Sequence, residues 1–293
     1  MFGRKVFLAM FIASVTALLA ACGGGQDRQV IQNKGSDTLV NVAQAWAEAY
    51  QMVDPATVVA VSGGGSGTGI AALINGTVDI ANASRAMKDK EINLAREHGH
   101  DPIQHIVGYD ALAVFLHENN PLNSISIEQL AEIYGDGGKY TKWTDLGVEV
   151  PGCDSQTMVV VSRQNNSGTY AYFRDTVLHK GDFKLGTRDM HGSKDVVDLV
   201  ENTPCAIGYS GLAYATEHIK LACVANETGG SCTDPSVATA SDGSYPIARP
   251  LFMYTNGEPT GYVGEYLNWI KSDEGQCIIS EKGYAPANPV TCG

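Results

Sequence analysis

Three short runs of Gly, Ser and Thr lead straight into helix-like apolar patterns: Gly35-Ser36-Asp37-Thr38, Gly65-Ser66-Gly67-Thr68-Gly69 and Ser167-Gly168-Thr169. A helix start leaves backbone N–H groups unpaired and carries partial positive charge, so it suits a bound anion. A hydroxyl there caps the helix or turns to a ligand oxygen. One such run alone is ordinary capping. Three of them, with Ser84-Arg85 and Arg163 beside comparable segments, point to one pocket for a small multi-oxygen anion.

The elements that must carry these runs alternate in type. Thr57–Ser62 is short and β-branched and feeds the Gly-rich turn and the helix-like stretch 70–74. Residues 78–81, 111–116, 158–163, 206–209 and 251–254 read as further strands. Leu39, Val42, Ala43, Trp46, Ala47 and Tyr50 make one apolar helix face. Ser126-Ile127-Glu128-Gln129 forms a capping-box pattern that opens a helix through Tyr134. A late helix carries Val263, Tyr266, Leu267 and Ile270, and the stretch from Cys223 to Tyr245 is polar enough to be surface loop. This alternation predicts an α/β fold with mostly parallel sheets. In open α/β sheets ligands sit beyond the carboxyl ends of strands. The Ser and Arg candidates fall at such ends: Ser66, then Ser84 and Arg85, then Arg163 and Ser167.

The N-terminus has the pattern of a secretory leader. Arg4 and Lys5 precede an apolar stretch that is short for a membrane span. It closes on Leu19-Ala20-Ala21-Cys22, which resembles a bacterial lipobox. The expectation is a signal peptide over 1–21, lipidation at Cys22 and a tether over 22–30. The protein would then sit outside the cytoplasm, in the periplasm or at the cell surface, anchored to a bacterial membrane. The 293-residue chain carries a net charge of −12, which argues against nucleic acid as a partner. Any anion must therefore be held by a local site. Distant acids are muted by screening, with a Debye length of ~8 Å at physiological ionic strength.

Of the seven Cys, six remain once Cys22 is set aside: Cys153, Cys205, Cys223, Cys232, Cys277 and Cys292. An even number outside the cytoplasm suggests disulfides, for which six Cys allow 15 connectivities. Local pairing would join Cys223 to Cys232 and Cys277 to Cys292, leaving Cys153 with Cys205. No Cys-x-x-Cys spacing supports zinc, and His98-Gly99-His100 suits a solvated loop. No metal and no cofactor are expected.

Enzyme readings fare poorly. Asn165-Asn166-Ser167-Gly168-Thr169 lacks the leading Gly of a nucleophile elbow, so hydrolysis of phosphate esters is a remote alternative. The segment 57–74, with Asp79 downstream, imitates a dinucleotide fingerprint, but both motifs exploit the same helix-start physics.

The ordered set Gly-Ser-Asp-Thr-Leu (35–39), Gly-Ser-Gly-Thr-Gly (65–69), Ala-Ser-Arg (83–85), Gly-Tyr-Asp-Ala-Leu-Ala-Val (108–114), Arg-Gln-Asn-Asn-Ser-Gly-Thr (163–169) and Ala-Ile-Gly-Tyr (206–209) resembles the phosphate-binding protein of bacterial ABC phosphate importers. The resemblance implies a two-domain, type II periplasmic-binding-protein-like fold with a cleft between the domains. It implies crossovers near Asp110 and shortly before Leu251. Domain 1 would join 31–110 to 247–293, and domain 2 would span 111–246. It implies a binding protein, not an enzyme, that closes by a hinge on phosphate and delivers it to permease subunits. A receptor for sulfate or arsenate and a phosphate sensor are the neighbouring alternatives. Phosphate contacts are implied from Thr38, the backbone of Leu39, Ser66, Arg163, Ser167, Gly168 and Thr169. Ser84 and Arg85 join them by position.

Two departures stand out. Many members carry Asp after the Ser where this chain has Arg85, so the acid that accepts the phosphate O–H is expected at Asp110, with Asp37 behind it. Many also place an acid two residues after the motif Arg, where this chain has Asn165.

Overall fold

The computed structural model describes residues 28–292; the leader and Cys22 lie outside the described residues. In chain order the elements are β1 (Gln29–Gly35), α1 (Val40–Val53), β2 (Thr57–Ser62), α2 (Ser66–Ile74), β3 (Ile80–Ala83), α3 (Asp89–Glu97) and β4 (Pro102–His117). There follow β5 (Ser124–Ser126), α4 (Ile127–Tyr134), β6 (Val159–Arg163), α5 (Gly168–Thr176), β7 (Arg188–Met190), α6 (Ser193–Glu201) and β8 (Ala206–Gly211). The chain ends through β9 (Ile219–Ala225), β10 (Cys232–Thr233), α7 (Val237–Ser241), β11 (Ala248–Asn256), α8 (Gly261–Ile270), α9 (Asp273–Glu281) and β12 (Ala285–Pro286). Gln29 and Val30, read from sequence as tether, begin β1. Among the described residues no helix is long and apolar enough to cross a membrane.

The architecture is an α/β mixed sheet with the curl of a PBP-like fold. Its path runs β2-β1-β3-β11-β4-β8-β6-β7. The flanks are parallel, β1 with β2 and β3, and β6 with β7 and β8. The middle is antiparallel, because β4 and β11 run side by side in opposite senses. The expectation of mostly parallel sheets holds only for the flanks. Outgoing and returning strands must oppose one another when they share a ladder without a crossover helix.

β4 is the spine. Its first half pairs with β11 and β12, and beyond Ala111 it pairs with β8 and β9. Four apolar clusters are present among the described residues, and a large one accompanies each half. One packs Ile31, Leu39, Trp46, Tyr50, Tyr266 and Leu267. The other packs Leu112, Val114, Tyr134, Trp143, Phe173 and Tyr209, with Phe173 and Tyr209 stacked at 3.9 Å. Burial of these side chains, at about 25 cal/mol per Å² of apolar surface, is what holds each half together.

The local devices match their sequence signals. Ser126 caps α4, accepting Gln129 N–H at 3.0 Å while Gln129 Oε1 accepts Ser126 N–H at 2.9 Å. The disulfides join Cys153 to Cys205, Cys223 to Cys232 and Cys277 to Cys292, with Cα separations of 5.1, 5.5 and 5.5 Å. The stretch 223–245 is less loop-like than its composition suggests. It holds the end of β9, then β10 and α7, because the Cys223–Cys232 link pins β10 to β9.

Candidate anion site

The ends of β1, β2 and β3 form one wall of a cleft, and the β6–α5 turn forms the other. Ser36 and Thr38 follow β1, the run 63–66 follows β2, and Ser84 follows β3. Opposite them, Arg163 ends β6 and Ser167 caps α5, its hydroxyl accepting Thr169 N–H at 3.1 Å and Tyr170 N–H at 3.4 Å. All of these side chains are buried.

The walls touch through small polar groups. Thr38 Oγ1 and Thr169 Oγ1 lie 3.1 Å apart. Ser84 Oγ receives the Ser36 hydroxyl at 2.9 Å, and Ser84 N–H donates to Ser66 Oγ at 3.0 Å. Gly168 faces that serine pair so closely that a Cβ there would fall 2.5 Å from Ser84 Oγ. Asn166 adds a latch at the rim. Its carbonyl accepts Gly67 N–H at 2.9 Å and its amide donates to Gly64 O at 3.0 Å. Gly65 permits this approach, having φ of +89° and no Cβ to strike Asn166 O.

Two guanidinium groups are sealed into the same region, each 1% exposed. Arg163 donates to Ser193 Oγ at 3.1 Å, to His191 O at 2.9 Å and to Asp37 Oδ2 at 3.2 Å. Its Nε is buried with no acceptor. Burial lowers the Arg163 pKa, and the Asp37 charge opposes that shift. Asp37 belongs to the opposite wall, where its Oδ1 accepts Gly64 N–H at 2.8 Å. Tyr214, pushed up to about 12 by burial, stays protonated and donates to Asp37 O at 2.6 Å.

The second guanidinium is Arg249 on β11, directly opposite Asp110 on β4. Its Nε and Nη2 both donate to Asp110 Oδ2, at 3.1 and 2.8 Å. Asp110 Oδ1 is buried with no partner in hydrogen-bonding geometry. Burial raises the Asp110 pKa, while the Arg249 charge and the nearby Leu212 amide pull it back. The region therefore joins two buried cations, two carboxylates and a set of hydroxyls. Such a donor-rich, water-poor pocket can envelop a compact oxyanion. It lies between a cavity of about 420 Å³, reached past Ser84, Tyr172 and Arg249, and one of about 290 Å³ beside Asp37, Ser193 and Tyr214.

Comparison with known proteins places this arrangement. A family model described as a PBP superfamily domain matches residues 21–274. The phosphate-binding protein PstS of Pseudomonas aeruginosa is 32% identical over 267 residues, covering 87% of this chain and 82% of its own length. The chain belongs to the PBP superfamily and, within it, to the PstS family. The PstS of Bacillus subtilis is 28% identical, with 97% of this chain and 94% of that protein covered. A crystal structure of a phosphate ABC transporter substrate-binding protein from Clostridium perfringens, with bound phosphate, superposes with a TM-score of 0.76. It is 26% identical and covers 89% of this chain and 100% of its own.

For this PstS-family chain, the structure gathers Thr38, Ser66, Ser84, Arg163, Ser167, Gly168 and Thr169 at one place. Leu39 is there too, but its N–H donates to Ser36 O at 3.1 Å within the turn. Arg85 is a correction. Its guanidinium turns away and binds both oxygens of Glu91 at 2.8 Å. Glu91 lies in the first turn of α3, only six residues on, so it captures Arg85 locally. Asp110 is present but engaged by Arg249, which sequence reasoning missed. The acid that steadies Arg163 is Asp37, reaching across the cleft in place of one at position 165.

Proposed function

We propose that this protein is an extracytoplasmic receptor for inorganic phosphate that delivers the anion to an ABC importer. The observation that carries the reading is the buried Arg163 guanidinium, whose Nε has no protein acceptor, set among the hydroxyls of Thr38, Ser66, Ser84, Ser167 and Thr169. Charge-assisted hydrogen bonds contribute roughly 1.5–3 kcal/mol each. A handful of them together are of the order of the roughly 8 kcal/mol that a micromolar Kd requires. The names of the PstS relatives and of the phosphate-bound Clostridium perfringens protein support phosphate as the ligand.

In this reading 31–110 with 247–293 make one domain and 111–246 the other, hinged where β4 and β11 cross between the two cores. Asp110 supplies the acceptor for the O–H of hydrogen phosphate, a group that sulfate lacks. Sites that demand a specific polar partner discriminate by ~10⁴ or more. The protein binds and releases without chemistry. A leader over 1–21 directs export and is removed, and a lipid on Cys22 holds the protein at a membrane, in an oxidising compartment that suits its disulfides.

The test is calorimetric titration of the leader-free protein with phosphate, sulfate and arsenate. Phosphate is expected to bind at micromolar concentration or below, with sulfate inert. No heat with phosphate overturns the reading, and turnover of phosphate esters overturns the claim that it only binds.

A further inference from the structure

We propose that Arg249 is a positioning residue of the anion site: it grips one threonine from each wall of the cleft and so aims the hydroxyls that meet the anion. This rests on the reading of the site as a phosphate receptor.

The geometry of its ion pair is the first observation. A guanidinium paired only to tie two strands would lay its fork on both carboxylate oxygens. Arg249 instead places Nε and Nη2 on Oδ2 alone, and Oδ1 is left without a partner. That end-on pose turns the second Nη2 proton toward the cleft. Nη2 lies 3.2 Å from Thr38 Oγ1 and 3.1 Å from Thr169 Oγ1. Nη1 meets Ser84 O at 3.3 Å, and the Tyr172 ring lies 5.6 Å from the guanidinium carbon, so the plane is held on every side.

Proton counting gives the consequence. One Nη2 proton goes to Asp110, and the other is shared by two threonine oxygens that are themselves 3.1 Å apart. The threonines hold two hydroxyl protons. One lies between them, and the other has no acceptor among the described residues. By filling lone pairs on both oxygens, Arg249 directs that remaining proton outward, as a donor. An anion seated beside the pair gives the proton between the threonines a second acceptor, so both hydroxyls can donate to it while Arg249 fills a lone pair on each. A lysine ammonium cannot span Asp110, both threonines and Ser84 O at once, since it is a compact point of charge and not a planar fork.

The test is a cycle of phosphate affinities in the parent protein, R249K, T38V/T169V and the triple variant, with thermal unfolding measured in the absence of phosphate. R249K on the parent is expected to weaken phosphate about tenfold to a hundredfold, the loss of a well-aimed charged contact. On the T38V/T169V background the same change is expected to cost less than about threefold, because the hydroxyls it aims are gone. Losses that multiply in full overturn the proposal and leave a merely structural pair. Should R249K fail to fold, R249Q, which keeps a planar amide donor and leaves Asp110 unchanged, goes through the same cycle against the same criterion. A parent that gives no heat with phosphate overturns the receptor reading itself, and this inference with it. Multiplied losses on a parent that does bind overturn this inference alone.

Discussion

Replacing Gly168 by Ala separates closure from folding. Gly168 is the first residue of α5 and does not sit in the left-handed region, so alanine is compatible with its backbone and slightly favours the helix. The added methyl, however, would lie 2.5 Å from Ser84 Oγ and 3.0 Å from Ser66 Cβ, and closer still to Ser66 Oγ. The hydroxyls cannot simply swing clear, because Ser66 Oγ accepts Ser84 N–H at 3.0 Å and Ser66 Cβ is fixed by its backbone. Comfortable separation is about 3.5 Å, so the walls must part by roughly 0.5–1 Å. Contacts that span them, such as Thr38–Thr169 at 3.1 Å and Gly67–Asn166 at 2.9 Å, then stretch toward or past bonding range. An anion held from both sides loses one or two charged hydrogen bonds, about 3 kcal/mol, or about a hundredfold in Kd. Calorimetric titration with phosphate reads the affinity, and thermal unfolding with and without phosphate reads the linkage. The expected result is unchanged or slightly raised stability without ligand and a collapsed ligand-induced Tm shift. A G168A protein that binds phosphate within threefold of the parent refutes the reasoning.

Four further outcomes follow from the same geometry. N166A removes the side-chain bonds to Gly64 O and Thr68 Oγ1 but keeps the backbone latch. It should speed phosphate release about three- to tenfold in stopped-flow with association unchanged. R85M should leave phosphate affinity within about twofold, because Arg85 lines the adjoining cavity but commits both terminal guanidinium nitrogens to Glu91. Burial works against the Glu91 charge, but Arg85 and the Lys88 backbone hold its pKa below 4.5. Its stabilisation is thus complete above that pH and fades as pH falls through the lowered value, so E91Q should flatten the acid limb of a Tm-against-pH curve. Replacing Cys153 and Cys205 by Ser opens a loop with a sequence separation of 52, which should cost about 4 kcal/mol in denaturant unfolding.

The parts of the site built from chain-local signals were legible in the sequence. Hydroxyl-rich runs after β-branched strands mark where β2 and β6 end, whereas β1, with Gln29, Gln32, Asn33 and Lys34 in its seven residues, carries no such pattern. Spacing alone suggested the disulfide partners, two of whose pairs enclose short segments. What escaped was whatever depends on how distant strands meet. Arg249 and Asp110 are 139 residues apart, and only the antiparallel register of β4 and β11 sets them face to face. Nothing near Arg249 marks it as buried. Arg85 differs for the opposite reason: it adjoins Ser84, which the structure gathers with the other hydroxyls, but an acid on the next helix engages its guanidinium. The first half of β4 was hidden because Gln104, His105 and Gly108 interrupt the apolar run that made 111–116 conspicuous.

The charge arrangement explains how an acidic protein can grip an anion without a permanently basic cleft. Each buried guanidinium already has a carboxylate, so the region carries little net charge before ligand arrives, and its specificity rests on the aim of its donors. The two pairs differ in where their acids sit. Asp110 holds Arg249 through the strands that cross between the cores, so that pair persists whatever the walls do. Asp37 reaches Arg163 from the opposite wall, steadied there by Gly64 N–H and tied by its carbonyl to Tyr214. With the walls apart, Arg163 keeps only Ser193 and His191 O, both on its own side. Closing therefore brings the Arg163 guanidinium its third anchor in the same movement that brings Thr38 to Thr169. In a hinged receptor this couples the firmness of the main cation to the closed form, and the free energy of binding is then expressed as closure and not merely as occupancy.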